Sequence, residues 1–136
     1  PRWRYLPWDL NASFGQNYRT RRLDPRGYAL AGFDRYNELF ARLLRDPALR
    51  ARVDARYRDA FAGRWSLSEV LGLLDRWAAE IDASALRDEQ RWGAEYRDFN
   101  WGGRSDLTSY RDELAYVRQW IQDRWSFVAG EIALAP

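Results

Sequence analysis

From residue 36 to residue 128 the apolar side chains recur with a helical period in four successive runs, each bounded by cap signals. Tyr36, Leu39, Phe40, Leu43 and Leu44 fall at i, i+3, i+4, i+7 and i+8, which predicts one helix with Asp34 as its N-cap. Pro47 disfavours helix at the residue before it, so this helix ends near Asp46. Asp46-Pro47 then supplies the cap and first position of the next. Leu49, Val53, Tyr57 and Phe61 step by four along that second helix, and Gly63 closes it. Ser66-Leu67-Ser68-Glu69 has the capping-box pattern. It predicts a third, longer helix that buries Val70, Leu73, Leu74, Trp77 and Ile81 and runs past Leu86 towards Trp92. A break over residues 98–108, hinged at Asn100-Trp101-Gly102-Gly103, precedes a cap at Ser109 with Asp112. The last helix carries Leu114, Val117, Ile121, Trp125 and Val128 inward. The expected fold is mainly α, with four helices behind one strand.

Residues 1–33 obey a different rule. Trp3-Arg4-Tyr5-Leu6 reads as a short strand that leads into the turn Pro7-Trp8-Asp9-Leu10-Asn11-Ala12-Ser13-Phe14-Gly15. A loop marked by Asn17, Pro25, Gly27 and Gly32 follows, and a loop of that length is functional or packed against something else. The organisation expected is therefore 1–33 as strand, motif and loop, and 34–136 as a helical subdomain. A carboxylate held at a strand end before Phe-Gly is the arrangement by which kinase-type enzymes hold Mg²⁺ against phosphates. From spacing alone, a turn or helix-cap aspartate is the simpler account of Asp9. Trp8 and Phe14 read as packing that fixes this turn.

Residue types that are missing narrow the chemistry. The chain has no Cys, His or Met, and all 22 of its basic residues are Arg. Without Cys there are no disulfides or thiolate metal sites, and without His there are no His bases or His-ligated zinc. Without Lys there is neither Schiff-base chemistry nor a Walker-type lysine. Carboxylates, hydroxyls, Arg and metal are what remain. Eight Trp, eight Tyr and six Phe supply a core and argue against disorder. No run of about 18 apolar residues occurs, so no membrane span is expected. Net charge is only +2, with acids and arginines interleaved as on solvated helix faces, and no nucleic-acid motif stands out. Arg19, Arg21, Arg22 and Arg26 form the densest basic patch, read as exposed loop ahead of a phosphate clamp.

Four local patterns, in order, resemble the C-terminal part of the CotH (spore coat protein H) kinase family. The first is Pro7 to Gly15. The second is Asn37-Glu38-Leu39-Phe40-Ala41-Arg42-Leu43-Leu44, then Asp46-Pro47, Arg50, Arg52 and Arg56-Tyr57-Arg58. Ile81-Asp82 with Arg87-Asp88 and Arg91-Trp92 is the third, and Leu114 to Arg124 with Phe127 the last. The resemblance implies a helical C-lobe-like subdomain of an atypical kinase fold that transfers phosphate from ATP to protein with Mg²⁺ or Mn²⁺. It implies that Asp9 is the metal-binding acid. Asn11 stands where the family often has Asp, so it implies at most a weak second ligand there. The family's catalytic acid and nucleotide contacts precede the metal acid, so no catalytic residue is expected in this chain. The chain is expected to act with an N-terminal kinase portion, on a protein substrate, at the cell envelope or outside the cell.

Other readings run beside this one. Trp125, like Trp77, sits on a face predicted buried, with Trp92 and Trp120 flanking, so core use of the tryptophans outweighs carbohydrate binding; Trp3 and Trp101 are freer. Asp82 with Asp88 or Glu89 is the carboxylate pair a glycoside hydrolase reading would need, and separation in space decides that chemistry. The main alternative is a non-catalytic helical interaction or scaffold module. If a partner portion is needed to complete the fold, aromatic surface over residues 3–14 is expected to be left uncovered or paired with a neighbouring chain.

Overall fold

The computed structural model describes residues 13–15, 24–27, 37–98, 106 and 108–134, and these contain four helices and no strand. They are α1 (Glu38–Arg45), α2 (Pro47–Ala62), α3 (Leu67–Asp98) and α4 (Tyr110–Leu134). The mainly α architecture is as the periodicity requires. The strand over residues 3–6 lies outside the described residues.

Local side chains decide where each helix starts. Asn37 caps α1: its Oδ1 accepts from the amides of Leu39 at 3.0 Å and Phe40 at 3.4 Å. The helix therefore opens three residues after Asp34, the predicted cap, which lies outside the described residues. Asp46 ends α1 in extended conformation and caps α2, accepting from the amides of Ala48 at 2.8 Å and Leu49 at 3.1 Å. One aspartate thus serves two helices, as Asp46-Pro47 predicted. Past Gly63 the chain folds back, with the Trp65 amide donating to Ala60 O at 2.8 Å. Only half of the capping box at α3 forms. Ser66 Oγ accepts from the Glu69 amide at 3.4 Å, but the Ser66 amide is taken by Gly63 O at 2.8 Å. α3 has 32 residues, about 48 Å of helix, and runs beyond Trp92 to Asp98. At α4 Ser109 Oγ accepts from the Asp112 amide at 3.1 Å, while Glu89 of α3 accepts from the Tyr110 amide at 2.8 Å.

α3 and α4 run antiparallel, joined by polar links in matching order. Glu89 meets the start of α4, Asp82 pairs with Arg111 at 2.8 Å, and Asp75 pairs with Arg118. Tyr110 Oη also donates to Ala78 O at 3.4 Å. The side of α3 turned to α4 therefore carries Asp75, Ala78, Asp82 and Glu89. This corrects the predicted burial of Trp77 and Ile81, which are 59% and 52% exposed. The polar links hold that side against α4 and leave Trp77 and Ile81 on a flank, while Val70, Leu73 and Leu74, nearer the α2 end, stay half-buried. The inward face of α4 is as expected. Ile121, Val128 and Ile132 are buried, and Leu114, Val117 and Trp125 are half-buried.

α2 closes the other end of this pair through aromatic contacts. Phe61 stacks on Trp125 at 5.5 Å between centroids with 28° between planes, and meets Trp65 edge-on at 6.4 Å. Trp125 Nε1 donates to Trp65 O at 2.7 Å, so the indole gains both packing and a satisfied N–H. Ala60 is buried here, Leu49, Tyr57 and Phe61 are half-buried, and Val53 is exposed.

Candidate functional site

The end of the Pro7–Gly15 motif is fixed by backbone chemistry. Phe14 has φ 54° and Gly15 φ 78°, two left-handed residues in succession. Glycine adopts this region freely, whereas a phenylalanine held there costs about 1–2 kcal/mol. Contacts to α4 offset that cost. Tyr116 Oη donates to Phe14 O at 3.1 Å, and the Phe14 ring meets Trp120 edge-on at 5.8 Å. Gly15 is buried beneath this turn. Phe14 is 43% exposed, so its predicted packing role holds for one side of the ring.

A second piece of the N-terminal region docks one turn further along the same helix. Asp24 to Gly27 form a turn in which Gly27 N donates to Asp24 O at 2.9 Å and Arg26 N donates to Asp24 Oδ1 at 2.8 Å. Arg124 Nη1 donates to Pro25 O at 2.9 Å, with its guanidinium 5.6 Å from the Phe127 ring centroid. Burial pulls the Arg124 pKa below its usual range, and Glu131 opposes that shift. Tyr116, Trp120 and Arg124 are spaced four apart and so lie on one stripe of α4. That stripe is distinct from the Ile121–Val128 stripe that faces the helices. Sequence reasoning identified the Arg124–Phe127 pair through the resemblance and missed Tyr116. The visible signal was a second amphipathic stripe at i, i+4 and i+8 on a helix that already had one.

Asp9 and Asn11, the predicted metal ligands, lie outside the described residues, as do Trp8, Arg19, Arg21 and Arg22. Among the described residues no group of three or more His, Cys, Asp or Glu could hold a metal ion. The carboxylates of the hydrolase reading are otherwise engaged. Asp82 pairs with Arg111, Glu89 caps α4, and Asp88 accepts from Tyr96 Oη at 2.6 Å. That hydrogen bond, reinforced by desolvation and by the negative charge of Asp88, raises the Tyr96 pKa above the ordinary phenol range. No helix among the described residues is long and apolar enough to cross a membrane.

Among the described residues the last helix clasps the end of the Pro7–Gly15 motif, at Phe14 and Gly15, on a helical scaffold. Residues 1–128 match the family described as CotH kinase protein, and the chain belongs to that family. No curated protein and no solved structure matches it.

Proposed function

We propose that the chain supplies the metal-binding acid of CotH-type phosphoryl transfer, Asp9, mounted on a helical scaffold. The observation that carries this is the clasp at the end of the Asp9 motif. Phe14 and Gly15 are tied to α4 at Tyr116 and Trp120, within the span of the family match. The donor set is one carboxylate and one amide oxygen, hard ligands that suit Mg²⁺ or Mn²⁺ together with ATP phosphates. The metal would neutralise charge that develops on the transferred phosphoryl group. Tyr116, Trp120 and Gly15 act as positioning residues that fix where the motif leaves the scaffold. A single carboxylate holds Mg²⁺ weakly, so binding is expected only with nucleotide and within a complete domain that supplies the catalytic acid. Transfer to a protein substrate at the cell envelope or outside the cell belongs to the same proposal.

The test is thermal unfolding of the protein carrying these residues, with and without ATP and Mg²⁺ or Mn²⁺. A ligand that binds only the folded state raises Tm by mass action. Wild type is expected to gain several degrees with nucleotide and metal together, and Asp9→Asn to lose that gain. Equal gains in both proteins overturn the metal role of Asp9.

The exposed aromatic flank of α3 favours a second reading, a non-catalytic interaction module. It predicts no nucleotide-dependent gain in either protein.

A further inference from the structure

We propose that this chain self-associates, the α1–α2 arm of one copy docking on the outer flank of α3 in a second copy. Charge divides the helical region in two. Residues 38–64 hold seven arginines against four acids, and residues 65–98 hold eight acids against four arginines. Arg52 and Arg56, one turn apart on α2, are exposed and make no hydrogen bond or ion pair among the described residues. They flank Val53, which is 37% exposed.

The α3 flank offers the complement. Trp77, Ile81, Trp92 and Tyr96 project from it, all more than 40% exposed. Two surface cavities of about 200 and 300 Å³ adjoin there and share Asp88 and Tyr96. Glu95 lines the larger with Trp92, and it too makes no hydrogen bond or ion pair among the described residues. Guanidinium groups stack on aromatic faces while their N–H groups reach carboxylates, a pairing that Lys does not reproduce. The flank already displays the stacking part of that mode within one chain, because Arg91 lies 4.9 Å from the Trp92 ring centroid. α1 adds exposed Leu39 and Leu43, apolar surface suited to Trp77 and Ile81. The two surfaces differ, so the contact is heterologous. It closes when two copies exchange arms and otherwise propagates.

Sedimentation velocity and light scattering on the 136-residue chain test this. At about 50 mM salt the mass should rise above 16.1 kDa with concentration, and at about 500 mM it should return to 16.1 kDa as the charges are screened. Glu95→Arg and Arg56→Glu leave every described hydrogen bond in place, and each should weaken association by about ten-fold or more through like-charge contact. Mixing the two variants should restore it, since the reversed charges then face each other. Circular dichroism checks that both keep their helix content, and the salt series on the unaltered chain decides the matter if one does not. A mass of 16.1 kDa in low salt at every concentration overturns the proposal. So does association that ignores salt and both reversals, or a mixture that fails to recover.

Discussion

The two ends of the α3–α4 pair are held by different chemistry. At the Trp65 end, Phe61, Trp65 and Trp125 interlock over buried Ile121 and Val128. At the Tyr96 end the links are polar, Glu89 to the Tyr110 amide and Arg97 to Thr108 O at 2.8 Å, while Trp92 and Tyr96 stay exposed. Apolar burial is roughly proportional to area removed from water, so the first end should carry most of the stability. Solvent-exposed polar links contribute little energy but fix which residues stand opposite one another. One end makes the fold stable, and the other sets its register.

That contrast breaks if the aromatic end proves dispensable. Trp125→Ala removes a stacked ring and the donor to Trp65 O, and is expected to cost about 3 kcal/mol in denaturant unfolding. Trp77→Ala, on the exposed flank, should stay within about 0.5 kcal/mol. Equal losses from the two would show that the flank is covered in the folded protein. Gly15→Ala comes next, at about 1 kcal/mol, because φ 78° is strained for any residue with a Cβ. Its readout is faster hydrogen exchange around Phe14 and a smaller nucleotide-dependent Tm gain, with the α2–α4 end unaffected. The smallest effect belongs to the register links. A double-mutant cycle on Asp82 and Arg111 should give a coupling below about 1 kcal/mol, and less in high salt. A larger, salt-resistant coupling would move part of the stability to the polar end.

Much of this was legible in order along the chain. Asp46-Pro47 announced both a stop and a start because a proline lacks an amide N–H and disfavours helix at the residue before it, and a preceding aspartate supplies an acceptor. Ser109 with Asp112 and the inward stripe from Leu114 to Val128 could be read the same way, since caps and periodicity are local. The α3 face could not. Its apolar residues at 70, 73, 74, 77 and 81 form a regular stripe, yet Trp77 and Ile81 point away from α4. What decided which residues face α4 was a set of partners 21 to 43 residues away, Tyr110 for Glu89, Arg111 for Asp82 and Arg118 for Asp75. The clasp was equally hidden, since Tyr116 meets Phe14 across 102 residues.

The sequence by itself therefore determined the helices, most of their ends and the family, because each depends on neighbours within a few residues or on the order of local motifs. Only the tertiary structure decided which face of α3 meets α4 and where the Asp9 motif is fastened. Both are set by pairings between distant residues, and neither helical period nor cap chemistry specifies a partner that far along the chain.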